Sequence, residues 1–355
     1  MENREFLLSY IVPAYNAEYV LEPCINSIIQ IGRDVEVIIV NDGSTDCTGN
    51  IAQKLCDKYP NQIKVINQKN QGVSAARNIG IGTAHGKYIA FSDADDTINT
   101  EKVRGFLSEN IMIEDIIMLN YTVVENGKRK IRPLFSDLYS DNPKDSLLKH
   151  LLYCKFSRND EDKVLGGKVF QYFWEKNYLI KNRIWFNTTL SYAEDLVFCC
   201  LAVKRAKTIR VVDESIYDYY VTKGTASRCY RENYWNELQR VYDALNKICP
   251  EYIDQGMYFY YARTALFHIS EYTLSKTISR DIALDKFCEV LSDKRVHDDF
   301  ISIKKRCWTL REKTFNALMN FSDNGRALFY YLFLTKKIRA RLLGLASGKT
   351  NKNRI

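Results

Sequence analysis

The first 125 residues of the chain alternate between short apolar runs and longer amphipathic stretches. The apolar runs predict strands at residues 8–12, 36–40, 63–67, 88–91 and 115–124. The amphipathic stretches predict helices at about residues 20–30, 47–59 and 73–83. Strands that are separated by single helices pair in parallel through right-handed crossovers. The pattern therefore predicts an α/β fold with a Rossmann-like, mostly parallel sheet that is flanked by helices.

The rest of the chain follows two other patterns. From residue 126 to 230 the pattern is less regular, with charged loop stretches and one acidic segment, Glu194-Asp195, inside an apolar run. From residue 231 onward the chain has helical periodicity, for example at 233–248 and 258–272. The sequence thus divides into residues 1–125, residues 126–230, which we expect to belong to the same α/β domain, and a C-terminal helical extension at 231–355.

Composition places the chain among ordinary globular proteins. It has 355 residues, 46% hydrophobic and 26% charged, and no apolar run approaches the roughly 18 residues that span a bilayer. The charged N-terminus runs directly into a strand, so we expect no cleaved signal peptide and a cytoplasmic location. Ten cysteines without a C-x-x-C pair indicate that most of them are reduced, buried thiols and that no zinc site is present.

The net charge of +8 comes from the C-terminus, since residues 326–355 contain eight cations and no acid. Aromatic and aliphatic residues at 328–334 precede the cationic cluster at 336–341, a pattern typical of an amphipathic helix on an anionic bilayer. The alternative is a last core helix with a solvated basic end. Because the remaining chain is formally neutral, a nucleic-acid partner is not expected.

Three carboxylates follow the fourth predicted strand, in Asp93-Ala94-Asp95-Asp96. They repel one another, and a divalent cation together with a phosphate would remove that conflict, because Mg²⁺ is commonly held by one or two carboxylates and substrate phosphates. In open α/β sheets the ligand crevice lies at the carboxyl ends of the strands. The alternative is an acidic turn that caps a helix.

Polar residues also follow the earlier strands. Pro13 is expected to end the pairing of the first strand, and Asp42 lies in an Asn-Asp-Gly turn after the second. Arg77 lies in the helix after the third strand, where it either is solvated or faces a base or phosphate. Each residue has an ordinary structural explanation, but their order and spacing together indicate a nucleotide site.

Together these motifs closely resemble those of the family 2 glycosyltransferases, which have the GT-A fold. The matching stretches are 10–16 (YIVPAYN), 36–46 (EVIIVNDGSTD), 70–78 (NQGVSAARN), 86–96 (GKYIAFSDADD) and 192–198 (YAEDLVF). The resemblance covers about residues 7 to 230. It implies that residues 1–125 form the nucleotide-sugar-binding half of a GT-A domain and that residues 126–230 form its acceptor-binding and catalytic half.

The resemblance also implies roles for single residues. Pro13 and Tyr15 would border the nucleotide base, and Asp42 would accept a hydrogen bond from a uracil-like edge. Arg77 would lie against the base or phosphate. Asp93 would bind the ribose side, and Asp95 would ligate Mn²⁺ or Mg²⁺. Asp96 has no firm role, because the family's essential spacing is D-x-D. In the irregular middle region, Trp174 and Trp185 would line the acceptor side. Lys223 and Arg228 would close over the diphosphate or lie in a plain linker.

The same resemblance makes Asp195 the catalytic base, while Glu194 would orient the acceptor or share that role. Two acids at a helix start also favour the helix dipole, which is the structural alternative. One base and one displacement imply inversion at the anomeric carbon. The expected enzyme is an inverting hexosyl- or N-acetylhexosaminyltransferase that uses a nucleotide-sugar, expected to be a UDP-sugar. Its acceptor would be a saccharide or lipid-linked oligosaccharide in bacterial surface polysaccharide biosynthesis.

Two other hypotheses fit part of the pattern. Residues 93–97 also satisfy the D-x-D-x-T pattern of haloacid-dehalogenase-like phosphatases, with Asp93 as nucleophile. That hypothesis needs a later acidic pair after a strand, whereas Asp298-Asp299 follows a helical segment, and it leaves the first 90 residues unexplained. The second alternative is a catalytically inactive sugar-nucleotide-binding protein.

Overall fold

The computed structural model describes residues 6–109, 111–140, 142–152, 165–221, 229–253 and 256–302. The described residues fall into two compact units. The first contains those between 6 and 152, 165–221 and 244–252, and the second contains 229–243, 253 and 256–302. The basic segment at 326–355 and the candidates Lys223 and Arg228 lie outside the described residues.

The first unit is built on one sheet of nine described strands. Its strands are β1 (Leu8–Ala14), β2 (Val35–Asp42), β3 (Ile63–Gln68), β4 (Tyr88–Phe91), β5 (Thr97–Ile98), β6 (Ile116–Glu125), β7 (Lys128–Arg132), β8 (Tyr172–Glu175) and β9 (Ile209–Tyr220). Their order is β3-β2-β1-β4-β8-β6-β9-β5, and β7 pairs with β6. The three most extended pairings, β6 with β9, β1 with β2 and β2 with β3, are parallel. The predicted α/β class with a mostly parallel sheet is confirmed.

Helices follow most of the strands. The first unit contains α1 (Leu21–Ile29), α2 (Thr48–Lys58), α3 (Val73–Thr83), α4 (Thr100–Glu109), α5 (Lys144–Leu152), α6 (Lys176–Lys181) and α7 (Glu194–Arg205). They are followed by α8 (Tyr234–Ile248), α9 (Met257–Leu274), α10 (Arg280–Ser292) and α11 (Lys294–Ser302). The three helices predicted in the first 125 residues correspond to α1, α2 and α3. The observed ends of α1 and α2 lie within one residue of the predicted ends, and those of α3 are the same.

Pro13 does not end the pairing of β1, contrary to the prediction. It is paired in register with Val40, and the strand continues to Ala14. On its other side β1 pairs with β4 only as far as Ile11 opposite Phe91. Proline is tolerated in a strand where no neighbour needs its missing N–H. Among the described strands, none pairs with Pro13 on that side, so β1 accommodates the proline without a lost ladder bond.

One strand in the middle of the sheet runs opposite to both of its neighbours. The short β8 lies between β4 and β6 and is antiparallel to both, so β4 and β6 run in the same direction. The carboxyl ends of β1, β2, β4, β6 and β9 therefore meet at one edge of the sheet. We call this edge the carboxyl edge. It is the edge at which the predicted site residues follow the strands.

Buried polar residues fix the opposite edge. The Ser9 hydroxyl donates to Glu36 Oε1 at 2.5 Å, and the Gly86 amide donates to Ser9 Oγ at 2.8 Å. A Cβ atom at Gly86 would lie 2.6 Å from Ser9 Oγ, so no larger residue fits without displacing the start of β4. This network sets the register of β1, β2 and β4, and with it the positions of their carboxyl ends.

The second unit is helical. Tyr258 on α9 donates to Asp293 Oδ2 at 2.6 Å, and the guanidinium of Arg295 lies 4.3 Å from the centre of the Tyr258 ring. These contacts join α9 to the segment between α10 and α11. Of the helices described, none combines the length and apolar character needed to cross a membrane.

Candidate active site

The acidic turn after β4 contains one buried carboxylate. Asp96 accepts a hydrogen bond from the Tyr217 hydroxyl at 2.7 Å and one from the Tyr220 amide at 2.8 Å, both on β9. Burial raises the pKa of Asp96 to about 8, although these two hydrogen bonds oppose the shift. The Tyr217 hydroxyl also accepts from the Asp93 amide at 3.1 Å. Asp96 thus anchors the turn to β9 and does not face solvent.

The other two carboxylates of the turn are more accessible. Asp95 is exposed, and the side chain of Asp93 is 40% exposed. Partial burial and the negative charge of Asp93 raise the pKa of Asp95. The two accessible carboxylates therefore repel each other across the turn. A cation between them would relieve that repulsion.

Arg77 on α3 connects this turn to the start of α7. Its Nη2 lies 3.1 Å from Asp93 Oδ1, and its Nη1 lies 3.2 Å from Glu194 Oε1. The Arg77 side chain is 6% exposed. Burial by itself would lower the pKa of Arg77, but the carboxylates of Asp93, Glu194 and Asp195 raise it, so the guanidinium stays charged. The planar guanidinium binds the two carboxylates through two different nitrogens, a geometry that the single ammonium nitrogen of a lysine does not reproduce.

The start of α7 has a strained backbone. Ala193, the residue before the helix, has φ +52° and ψ +28°, a left-handed conformation that is uncommon for residues other than glycine. This conformation presents Glu194 and Asp195 as the first two residues of the helix. Such strain persists only where the surroundings hold the backbone in place, and it is concentrated at functional sites.

Asp195 is half-buried, and its Oδ1 accepts from the Leu196 amide at 2.8 Å. Burial and the charge of Glu194 raise the pKa of Asp195, while the charge of Arg77 lowers it. A carboxylate with a raised pKa is a stronger base than an ordinary aspartate. Glu194, by contrast, has its Oε1 bound to Arg77 and its side chain only 14% exposed.

Aromatic side chains hold α7 against the sheet. Phe198 on α7 stacks on Phe186 with ring centres 4.0 Å apart, and both rings pack edge-on against Phe91 of β4. Asn78 on α3 fixes the backbone of Phe186 from both sides, since its Nδ2 donates to the carbonyl oxygen at 2.9 Å and its Oδ1 accepts from the amide at 2.8 Å. Phe186 also lies under the Arg77 guanidinium, 5.2 Å from ring centre to Cζ.

Gly167 packs directly against the first turn of α7. A Cβ atom at Gly167 would lie 2.1 Å from the Cα of Leu196 and 2.2 Å from its amide nitrogen. No other residue type fits here unless the backbone of α7 moves. The backbone at Gly167 therefore sets the position of the first turn of α7.

Asp42 ends β2 at the same edge, and it is buried. Its Oδ1 accepts from Gln68 Nε2 at 2.6 Å and from the Gln71 amide at 2.8 Å, and its Oδ2 accepts from the Gly72 amide at 2.8 Å. These bonds hold the loop that leads into α3, and hence Arg77. Each carboxylate oxygen has two lone pairs, so Oδ2 can accept one further hydrogen bond.

Pro13 and Tyr15 lie at the end of β1. Pro13 is half-buried, and Tyr15 is 53% exposed and available for stacking. Next to them, Asn16 has φ +49° and its Oδ1 accepts from the Thr45 amide at 2.9 Å. The ends of β1 and β2 are thus tied together at the carboxyl edge.

The structure brings the sequence-predicted site residues to one edge of the sheet. Asp93, Arg77 and Glu194 are in direct contact, Asp95 lies in the same turn, and Asp195 follows Glu194. Sequence reasoning missed the anchoring role of Asp96 and the contributions of Phe186 and Gly167. The Gly166-Gly167 pair was the one signal that could have indicated a close backbone approach.

Trp174 was wrongly expected to line the acceptor side. It is fully buried in β8, where its ring packs edge-on against Phe198 at 5.2 Å. Its position in a central strand between β4 and β6 excludes it from any surface. Trp185, which is 38% exposed, remains accessible.

Within the part of the chain that the structure describes, no three His, Cys, Asp or Glu side chains converge as a complete metal site. The accessible pair Asp93 and Asp95 nevertheless offers hard oxygen donors, which Mn²⁺ and Mg²⁺ prefer. A cation that takes its remaining ligands from a diphosphate needs only one or two carboxylates from the protein. The donor set therefore fits a cation that is held jointly with a substrate.

Comparisons with known proteins agree with this geometry. The model of the family described as Glycosyl transferase family 2 matches residues 9–180, which include most of the residues that the phosphatase hypothesis leaves unexplained. The uncharacterized glycosyltransferase EpsJ of Bacillus subtilis is 30% identical over 241 residues, covering 67% of this chain and 68% of EpsJ. A poly(ribitol-phosphate) beta-glucosyltransferase of Bacillus spizizenii is 30% identical over 217 residues, 60% of this chain and 32% of that protein.

Among solved structures, S. aureus TarS 1-349 in complex with UDP-GlcNAc superposes with a TM-score of 0.60 at 20% sequence identity. The alignment covers 95% of this chain and 92% of that one. At this identity the likeness shows the fold, and the predicted GT-A fold is confirmed. The match to EpsJ over two thirds of both chains, together with the family model, shows more: this chain is a glycosyltransferase and belongs to family 2.

Proposed function

We propose that this enzyme transfers a sugar, with inversion, from a UDP-sugar to a hydroxyl group of a saccharide or lipid-linked oligosaccharide acceptor. The observation that carries the proposal is the bridge formed by Arg77, which joins Asp93 in the acidic turn to Glu194, the neighbour of Asp195. The bridge would thereby fix the distance between Asp93, on the donor side, and Asp195, on the acceptor side.

The names of similar proteins support the donor and the pathway. TarS has been crystallised with UDP and with UDP-GlcNAc. The relatives include the poly(ribitol-phosphate) beta-glucosyltransferase and a minor teichoic acid biosynthesis protein, GgaA of Bacillus subtilis. These names favour a UDP-sugar and a role in building a bacterial surface polysaccharide.

On the donor side, Asp42 would accept from the uracil edge and Tyr15 would stack beside the base, since both lie at the carboxyl edge. Asp93 would bind the ribose, and Asp95 would hold Mn²⁺ or Mg²⁺. That cation would supply positive charge for the leaving diphosphate. Arg77 would act indirectly: its guanidinium orients Asp93 and neutralises part of the negative charge around the donor.

On the acceptor side, Asp195 would take the proton of the attacking hydroxyl. Its raised pKa suits a general base that works near neutral pH. Glu194 is less suited to the task because Arg77 binds one of its oxygens. We assign Glu194 the positioning of Arg77 and of the acceptor. A base on the face opposite the leaving group produces inversion of the anomeric centre.

A thermal-shift screen tests the donor assignment. Unfolding of the full chain is measured with Mn²⁺ and, in turn, UDP-GlcNAc, UDP-glucose, UDP-galactose and GDP-mannose. Because a ligand that binds the native state raises its stability, one UDP-sugar should raise Tm most. A larger shift with GDP-mannose than with every UDP-sugar would contradict the proposal.

A further inference from the structure

The strand β7 forms an exposed cationic surface at the carboxyl edge. Its sequence is Lys-Arg-Lys-Ile-Arg, and all five residues are exposed. It pairs with the second half of β6, from Glu125 opposite Lys128 to Tyr121 opposite Arg132. Because β6 runs in the same direction as β4, this hairpin projects from the edge that carries the acidic turn.

The two faces of β7 differ in their partners. Arg129 makes an ion pair with Asp218 on β9, with 2.6 Å between Nη2 and Oδ1. Side chains alternate along a strand, so Lys128, Lys130 and Arg132 share the other face. Within the described part of the chain, none of these three cations makes an ion pair with a carboxylate. We call them the cationic row; the one acid of β6 that shares their face is Glu125, opposite Lys128.

One end of the cationic row is linked through Tyr121 and Lys168 to the first turn of α7. Tyr121, the cross-strand partner of Arg132, has the Lys168 ammonium group 5.6 Å from the centre of its ring. Lys168 follows Gly167, whose backbone touches Leu196 of α7. Burial and the charge of Arg132 lower the pKa of Lys168, and the carboxylate of Asp195 raises it, so both charges act on this one ammonium group.

Protection of a sheet edge is one reason for charged side chains on β7. Edge protection favours lysine in particular and explains single charged residues, but it does not require three cations on one face that make no ion pair within the described part of the chain. Alternate residues of a strand lie about 7 Å apart, a spacing that phosphates joined by a short polyol can match. The row therefore offers successive sites for a regularly spaced polyanion.

We propose that the cationic row of Lys128, Lys130 and Arg132 binds the phosphate groups of an anionic acceptor, a chain of polyols or sugars joined by phosphodiesters. The row would guide a hydroxyl group of that chain toward Asp195. This inference rests on the proposed function and specifies the acceptor class for the same site.

The test measures binding of a fluorescent glycerol phosphate oligomer to the full chain, with a neutral maltooligosaccharide of similar length as the comparison probe. The row is changed by Lys128→Glu with Lys130→Glu, and Arg132 is kept because it adjoins Tyr121. The matched control is Lys54→Glu with Lys58→Glu, two exposed lysines on α2. Both double variants change the net charge equally and keep charged residues at their surfaces.

The wild type should bind the phosphate oligomer more tightly than the neutral one, with an affinity that falls as salt is added. The row variant should bind it roughly tenfold or more weakly, and the control should bind it within about twofold of the wild type. Equal binding by the row variant, an equal loss in both variants, or no preference for the phosphate oligomer would overturn the proposal. Phosphatidylglycerol vesicles serve as a third probe. If the row variant loses binding to these vesicles but not to the oligomer, the proposal is also overturned.

A separate readout distinguishes this inference from the proposed function. UDP-GlcNAc or another UDP-sugar with Mn²⁺ should raise Tm equally in the wild type and in the row variant. If no UDP-sugar raises Tm, the donor assignment fails whatever the oligomer does. If the donor shift is present and the oligomer result fails, the acceptor inference alone is wrong.

Discussion

Arg77 and Glu194 are 117 positions apart in the chain, and their side chains meet with 3.2 Å between Nη1 and Oε1. The other arm of the same guanidinium binds Asp93. One buried cation therefore connects the helix after the third strand, the acidic turn after the fourth, and the first residue of α7. The relative positions of the acidic turn and the first turn of α7 depend on this contact.

Replacing Arg77 should cost both stability and activity. Arg77→Ala leaves two carboxylates without their shared cation, and we expect a loss of about 3 kcal/mol in the free energy of unfolding, because breaking a buried pair costs about 3–5 kcal/mol and Asp93 is 40% exposed. Arg77→Lys keeps the charge but replaces two donor nitrogens with one, which changes the spacing between Asp93 and Glu194, so kcat should fall while stability drops less. Denaturant unfolding and steady-state kinetics measure the two effects.

The double variant Arg77→Ala with Glu194→Gln provides the control. Removing the second charge should recover part of the lost stability, which a double-mutant cycle detects as coupling. If the loss of stability in the double variant equals the sum of the losses in Arg77→Ala and in Glu194→Gln, the contact does not contribute to stability.

Asp96 should make stability depend on pH. Its pKa is raised from 3.8 to about 8 in the folded chain, so the folded chain holds a proton that the unfolded chain loses. Stability from this group is therefore complete at low pH and falls as the pH rises from about 4 to about 8, by at most about 1.4 kcal/mol per unit. Asp96→Asn, which resembles the protonated form, should flatten this dependence in unfolding measured across that range. An unchanged slope would argue that Asp96 ionises normally.

Gly167→Ala should impair catalysis more than donor binding. The added Cβ would lie 2.1 Å from Leu196 Cα, so the first turn of α7 must shift and Asp195 with it. We expect kcat to fall roughly tenfold or more, since small misplacements of catalytic groups are costly, while the donor affinity changes little. Gly105→Ala on α4 is the matched control, because an added Cβ there meets nothing within 4 Å. A normal kcat for Gly167→Ala would show that α7 tolerates the shift.

Asp95→Asn should weaken the effect of the cation on donor binding. Asp95 is the exposed carboxylate of the turn, and its amide replacement is a poorer ligand for Mn²⁺. Isothermal titration of UDP in the presence and absence of Mn²⁺ should show a cation-dependent gain in the wild type and little gain in the variant. The same gain in both proteins would remove Asp95 from the proposed cation site.

Local patterns in the sequence predicted the first half of the fold well. The predicted strands and helices up to residue 91 correspond to β1–β4 and α1–α3, because apolar runs and amphipathic periods in that region are long and bounded by turn residues. The β8 strand was missed: it has four residues, follows a 3-10 turn, and pairs antiparallel within a sheet expected to be parallel. Its place is decided by neighbours distant in sequence.

For the site, the sequence indicated residue types and the edge where they gather. It could not indicate that Asp96 binds Tyr217, since that contact joins residues 121 positions apart. Pro13 was wrongly expected to end its strand because the pattern cannot show which side of β1 lacks a neighbour. Which carboxylate is buried and which is exposed depends on packing that only the folded chain defines.

The proposed role of Asp195, as the base of a transfer from a nucleotide-sugar, can be measured directly. Single-turnover transfer and donor binding are measured in the wild type and in Asp195→Asn, with Asp281→Asn, an exposed residue on α10, as the control. We expect Asp195→Asn to bind the donor as the wild type does and to lose transfer by roughly 10²–10⁴-fold. We also expect wild-type transfer to fall at acidic pH as Asp195 is protonated. Transfer at the wild-type rate by Asp195→Asn would contradict the proposed role.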